Sequence, residues 1–150
     1  MTINEFNEIL DFAIDREREA VAFYKELKEQ TKFASQRELL KELEAMEMGH
    51  IVVIENIRKK GVSEENIQKT PNLKISEYFT RELDSAELTY QSILIKAMKR
   101  EENSFRLYSE MSVKFSDEDL STLFRKLAAD EAKHKLYFEK QYDDFISKGN

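Results

Sequence analysis

The chain has 150 residues, enough for one domain (1–150) with its own apolar core. It contains no cysteine, which excludes disulfides, thiolate metal sites, iron–sulfur clusters and thiol nucleophiles. Its formal net charge of −6 comes from acids and bases interleaved along the chain, which argues against nucleic acid and anionic membranes as partners. The sequence has neither a signal-like N-terminus nor an apolar run long enough to cross a bilayer, so we expect a soluble cytoplasmic protein.

The first half of the sequence predicts two long helices. Over residues 3–30, apolar residues recur at three- and four-residue intervals, as one helical face requires. A turn over about 31–36 follows, and Ser35 with Glu38 three residues on predicts a capping box that begins the second helix. That helix is expected to end just before Gly61.

The second half predicts a connection and two more helices. Residues 62–85 contain Pro71 and have the weakest amphipathic pattern, so we expect a long crossover with one or two short helical turns. A third helix is expected over about 86–114. Ser116 and Asp119 resemble the start of a fourth helix, which is expected to run nearly to the end of the sequence.

The two halves match without a gap at a constant offset of 84 residues, the separation of Glu17 and Glu101. The identical pairs include Ile9 and Ile93, Arg16 and Arg100, Glu17 and Glu101, Tyr24 and Tyr108, Glu47 and Glu131, and His50 and His134. Two copies of one helical hairpin, each with an apolar face, predict an all-α antiparallel four-helix bundle with one long crossover between helices 2 and 3.

The only two histidines of the chain each close a Glu-x-x-His pair at the same position of the repeat. Residues three apart project from one face of a helix, so each pair can bind one metal ion. Two further glutamates, one in each half, lie among apolar residues, where charged groups are rare. The six predicted metal ligands are Glu17, Glu47, His50, Glu101, Glu131 and His134.

Electrostatics gives the reason for a metal at these positions. Four carboxylates gathered in an apolar bundle repel one another and lose their hydration, and two divalent cations balance their charge. Oxygen-rich ligands with two imidazoles suit iron or manganese, with zinc as a substitute. Tyr24 follows Glu17, and Tyr108 follows Glu101, by two helical turns. Each tyrosine is therefore expected either to hydrogen-bond a ligating carboxylate or simply to pack in the core.

The sequence resembles the rubrerythrin branch of the ferritin-like di-iron carboxylate superfamily. The matched segments are EREAVAFY from Glu17, EMGH from Glu47, EENSFRLY from Glu101 and EAKH from Glu131. The resemblance implies a ferritin-like bundle that holds two iron ions. It also implies that Glu17 and Glu101 are terminal ligands and that Glu47 and Glu131 bridge the metals.

The sequence departs from the family at two places. Rubrerythrins often carry a second carboxylate on helix three, one turn from the first, but Met98 and Ser104 stand three residues either side of Glu101. Full-length rubrerythrins also have a rubredoxin domain whose cysteines bind iron, and these residues are missing here. The resemblance therefore implies a separate electron donor, such as a rubredoxin.

Three functions remain open from the sequence. The resemblance implies an enzyme that reduces hydrogen peroxide, or dioxygen, at a diferrous centre. The alternatives are a ferroxidase that stores or transfers iron, and a helical interaction module without catalysis. Apolar crossover residues such as Leu73 and Phe79 suit either a homodimer contact or a cap on the bundle.

Overall fold

The computed structural model describes residues 2–62 and 90–148, which form two helical hairpins. The helices are α1 (Ile3–Gln30), α2 (Ala34–Lys60), α3 (Tyr90–Ser112) and α4 (Glu118–Ser147). The α1–α2 hairpin and the α3–α4 hairpin belong to separate compact units. The predicted crossover, apart from its first residue, and the predicted first turn of the third helix lie outside the described residues. None of the helices within the described ranges is long and apolar enough to cross a membrane.

A capping box begins α1, whose bounds are those that the periodicity predicts. Thr2 Oγ1 accepts a hydrogen bond from Glu5 N at 3.1 Å, and Glu5 Oε2 accepts one from Thr2 N at 2.9 Å. Two backbone N–H groups at the start of α1 therefore gain hydrogen-bond acceptors that the first helical turn cannot supply. The buried apolar face consists of Phe6, Ile9, Leu10, Ala13, Ile14, Ala20, Tyr24 and Leu27. Full burial of each larger apolar side chain contributes about 1.5–3 kcal/mol.

Of the two predictions made for the ends of α2, the one for its start is wrong and the one for its end is confirmed. The capping box predicted at Ser35 and Glu38 is wrong, because α2 begins after Phe33 and Ser35 is already its second residue. The chain reverses within residues 31–33, so the helix starts before Ser35 can cap it. The predicted stop is confirmed: Gly61 has a φ of 72°, which L side chains rarely adopt, and its amide donates to Ile57 O at 2.9 Å.

Ion pairs show that α1 and α2 run antiparallel. The pairs are Arg58 with Asp11 at 3.2 Å, Arg18 with Glu55 at 3.2 Å and Lys28 with Glu44 at 2.9 Å. As the α1 partner moves toward the C-terminus, the α2 partner moves toward the N-terminus. The Arg58 and Arg18 pairs are exposed and contribute at most about 1 kcal/mol each, and only the Lys28–Glu44 pair is partly buried, so the buried apolar face provides most of the stability.

The α3–α4 hairpin is built the same way, with different residues at its turn. Helix α3 ends at Ser112, two residues before the predicted end, and the turn packs Phe115 on Phe124 with ring centroids 5.3 Å apart. The cap of α4 is Asp117, whose carboxylate accepts a hydrogen bond from Leu120 N at 3.1 Å, rather than the predicted Ser116. Cross-helix contacts again run antiparallel: Lys135 with Glu102 at 2.9 Å, and Gln91 with Tyr142 at 3.1 Å.

Candidate metal centre

The α1–α2 hairpin brings its three predicted ligands together. Glu17 lies on the buried face of α1, and Glu47 and His50 lie one turn apart on the buried face of α2. His50 Nδ1 is 3.5 Å from Glu17 Oε2 and 3.9 Å from Glu47 Oε1. All three residues are at most 5% exposed, so two acidic groups and an imidazole share an interior where such groups are rare.

The α3–α4 hairpin repeats this arrangement with its own residues. His134 Nδ1 is 3.3 Å from Glu101 Oε2 and 3.8 Å from Glu131 Oε1. These three residues are at most 2% exposed. The offset of 84 residues in the sequence is therefore a repeat of side-chain geometry as well as of residue type.

Burial and a neighbouring acid change the protonation of Glu17. The pKa of Glu17 is raised from 4.5 to about 8, chiefly by loss of solvent and also by the nearby carboxylate of Glu47. The imidazole of His50 opposes this effect by lowering the pKa. In the absence of a cation, the pocket therefore favours a neutral Glu17 carboxyl near pH 7.

The residues of each hairpin fit a metal ion. A ligand atom of each of the three residues lies within 4.8 Å of the other two, in the first set and in the second. Metal bonds of about 2.2 Å place two donors on one ion at most about 4.4 Å apart. The distances between imidazole nitrogen and carboxylate oxygen, 3.3 to 3.9 Å, meet that limit. A divalent cation would also supply the positive charge that the buried acids need.

The two tyrosines that follow the lone glutamates are buried, as both predicted roles require. Tyr24 and Tyr108 are each 1% exposed. The Tyr24 ring packs edge-on against Phe23 at 5.7 Å between centroids, and the Tyr108 ring lies 6.2 Å from Phe124. These contacts fit core packing, and a hydrogen bond to a ligating carboxylate stays a prediction.

Arg100, for which no role was predicted, is buried and directly precedes a predicted ligand in the chain. Arg100 is 8% exposed and directly precedes Glu101. Its repeat partner Arg16 pairs with Glu19 at 3.3 Å and lies over the Phe12 ring at 6.0 Å. The sequence did indicate that these positions are unusual, because both halves of the repeat have an arginine next to a buried helical face, where cations are rare.

Comparison with known proteins identifies the family and the fold. A model of the family described as Rubrerythrin matches residues 8–142. A solved structure of a hypothetical protein from Pyrococcus furiosus is 24% identical, covers 98% of this chain and 92% of its own, and has a TM-score of 0.74. Comparison with curated proteins yields no match. The predicted fold class, an all-α ferritin-like four-helix bundle, is confirmed. By the family match, which spans most of the sequence, the chain belongs to the rubrerythrin family.

Proposed function

We propose that the chain is a di-iron carboxylate oxidoreductase that reduces hydrogen peroxide, with dioxygen as the second candidate oxidant. One observation carries the proposal: each hairpin of this rubrerythrin-family chain buries two carboxylates and one imidazole at distances that suit a single cation. Two such sets, related by the repeat, provide ligands for two metal ions.

Each residue of the two sets has one role in the proposal. By the family resemblance, Glu17 and Glu101 would each hold one ion as terminal ligands, His50 and His134 would each hold one ion, and Glu47 and Glu131 would be shared by both ions. Four carboxylates carry four negative charges, which two divalent cations balance. The oxygen-rich ligands favour iron or manganese, and zinc would occupy the site without supplying electrons.

The protein residues hold the charge and limit access, while the metal performs the redox step. When bound, two ferrous ions supply one electron each, so that one hydrogen peroxide and two protons become two water molecules. Burial of Glu47 and Glu131 below 2% exposure keeps bulk water from competing for their oxygens. Glu17, with its pKa raised to about 8, releases a proton when it binds a cation near neutral pH.

The proposal also requires a source of electrons outside this sequence. Its 150 residues contain no cysteine, so they cannot themselves hold a cysteine-bound iron that returns electrons to the centre. A separate donor such as a rubredoxin would complete the catalytic cycle.

Anaerobic iron loading tests the proposal. Fe(II) is titrated into the metal-free chain without oxygen, and hydrogen peroxide is then added in small steps while Mössbauer spectra count ferrous and ferric iron. We expect two iron ions per chain and two ferrous ions oxidised per peroxide. The exposed Lys133→Ala variant serves as the control, and His134→Ala, one residue away, should lose the second ion.

Three other outcomes would replace the proposal with a different function. Iron that binds but does not react with peroxide would reject the peroxidase. Retention of many more than two iron ions per chain, in a large multi-subunit particle, would establish iron storage instead. Failure to bind any divalent metal stoichiometrically would leave a helical interaction module.

A further inference from the structure

The solvent-facing side of α4 is positively charged over its middle turns. Between positions 126 and 140, the exposed residues are Lys126, Ala129, Lys133, Leu136 and Lys140. We call these five residues the α4 stripe. Its lysines recur every seven residues, so at 3.6 residues per turn they follow nearly one line along the helix. In a chain whose formal net charge is −6, this line reverses the sign of the charge locally.

The acids in the same stretch of α4 do not neutralise the stripe. Glu131 is buried in the candidate metal centre, and Asp130 is half-buried. Glu139 binds Lys135 at 3.3 Å, and Lys135 also reaches Glu102 of α3. Within the described ranges, no ion pair involves a lysine of the α4 stripe. The stripe ends where exposed Asp143 follows it, so the unbalanced positive charge is confined to these turns.

The same positions of α2 show that the repeat does not require a basic surface. At an offset of 84 residues, the three lysines of the stripe correspond to Glu42, Gly49 and Asn56, which are also exposed. The first hairpin does have surface arginines, but Arg18 and Arg58 each bind an acid of that hairpin at 3.2 Å. The α4 stripe is therefore specific to the second hairpin, and the interior that the two hairpins share does not explain it.

The α4 stripe lies on a helix that provides two of the predicted metal ligands. Glu131 and His134 are buried, and Lys133, which directly precedes His134, is exposed. An α-helix with its side chains is about 10–12 Å across. A protein bound to the α4 stripe would therefore be separated from the imidazole of His134 by about the width of one helix.

The size and composition of the α4 stripe suit a brief contact with another protein. Leu136 is 67% exposed and lies between two of the lysines, so an apolar group is flanked by charge, as at many interfaces. Lys140 lies 14 residues after Lys126, which corresponds to about 21 Å of helix. This length fits the contacts of weak electron-transfer complexes, which bury less than about 1,200 Å² in total.

We propose that the α4 stripe is the docking surface for a small acidic one-electron carrier protein that returns electrons to the metal centre. The inference rests on the proposed function, which requires a donor outside these 150 residues. Attraction between opposite charges speeds the encounter and orients it, which suits a carrier that must bind, give one electron and leave. Two reduced carriers, each oxidised by one electron, supply the two electrons that return two ferric ions to the ferrous state.

Binding of a rubredoxin with an acidic surface to the metal-free chain tests the contact without the redox chemistry. Calorimetric titration at about 0.01 M salt should give one carrier per chain. The affinity should fall at least about tenfold at about 0.15 M salt, because the Debye length shortens from about 30 to about 8 Å. No binding at low salt, or binding that salt does not weaken, would overturn the proposal. So would binding of the chain to phosphatidylserine vesicles but not to the carrier.

Matched charge reversals locate the contact on α4. Lys126→Glu/Lys140→Glu should raise the dissociation constant of the carrier at least about tenfold. Lys25→Glu/Lys32→Glu makes the same change in net charge at exposed positions of the first hairpin and should raise it by less than about threefold. Equal effects of the two double variants would exclude the α4 stripe as the docking surface.

A neutral variant separates charge from other effects of substitution. Lys126→Gln/Lys140→Gln removes the two charges without reversing them, so its dissociation constant should lie between those of the wild type and the glutamate variant. A glutamine variant as weak as the glutamate variant would show that charge does not control the contact, and the proposal would fail.

Electron transfer to the iron-loaded protein distinguishes this inference from the proposed function. In stopped-flow mixing of reduced carrier with the peroxide-oxidised protein, Lys126→Glu/Lys140→Glu should lower the second-order rate constant at least about tenfold. Oxidation of the ferrous protein by peroxide needs no carrier and should keep its wild-type rate, and for the same reason Lys133→Ala remains a control for iron loading. Iron that peroxide oxidises in a chain that binds no carrier would reject the docking surface alone. A carrier complex in a chain whose iron does not react would reject the peroxidase alone.

Discussion

The α1–α2 and α3–α4 hairpins have nearly the same buried side chains but different outer surfaces. His50 Nδ1 lies 3.5 Å from Glu17 Oε2, and His134 Nδ1 lies 3.3 Å from Glu101 Oε2. On the outside, an exposed glycine on α2 corresponds to an exposed lysine on α4. Burial of like charges is costly, so few residue types can occupy these interior positions. Residues on the outer surface are not restricted in this way.

The two interiors also share an arginine that directly precedes a predicted ligand. Arg100 is 8% exposed, and the Arg16 side chain at the same repeat position is 11% exposed and pairs with Glu19 at 3.3 Å. Three measurements can test how far the two hairpins behave alike.

A change of pH should have the largest effect on the free energy of unfolding of the metal-free protein. Glu17 has a pKa of about 8 in the fold against an ordinary value of 4.5, so between these pH values the folded state holds a proton that the unfolded state lacks. Raising the pH over this range therefore favours unfolding. We expect urea unfolding of the metal-free chain to lose up to about 5 kcal/mol from this residue between pH 4.5 and 8.

Glu17→Gln isolates this contribution because glutamine is neutral at every pH. The variant should lose much of the slope of stability against pH, and it should be more stable than the wild type at pH 8 when metal is absent. Divalent metal should reverse the order by stabilising only the wild type strongly. Parallel pH profiles for the two proteins would show that the Glu17 proton does not control stability.

The next largest effect is on metal affinity, and it compares the hairpins directly. His50→Ala and His134→Ala each remove the only imidazole of one set. We expect each variant to bind one of the two Fe(II) ions at least about a hundredfold more weakly, since even residues behind the ligands contribute 10- to 100-fold. Competition with a coloured chelator under anaerobic conditions measures both constants.

Equal losses in the two histidine variants would mean that the interiors function as equivalent halves. A smaller loss in His134→Ala would assign the difference to the second hairpin, where the buried Arg100 lies. Wild-type affinity in both variants would exclude the imidazoles as ligands and with them the proposed site.

The sequence predicted the interior of this protein better than its helix ends. Each helix is supported by apolar spacing over more than twenty residues, so one deviant position changes little, and the grouping of Glu47 with His50 follows from helical geometry. A helix start depends on one hydrogen bond, and neighbouring candidates compete for it. Asp117 therefore caps α4 although Ser116 had been predicted, and Phe33 precedes α2 without any side-chain cap.

The smallest effect concerns the outer surfaces, where an exposed glycine of α2 corresponds to an exposed lysine of α4. Gly49→Ala should raise the free energy of unfolding by about 1 kcal/mol, because alanine favours helix and its Cβ would meet no heavy atom within 4 Å among the described residues. Lys133→Gly, the reverse change at the same repeat position of α4, should lower it by slightly less than about 1 kcal/mol. Denaturant unfolding of the two variants beside the wild type measures both changes. A loss of stability from Gly49→Ala would mean that a glycine is needed at this position of α2, and helix propensity alone would no longer describe the two outer surfaces.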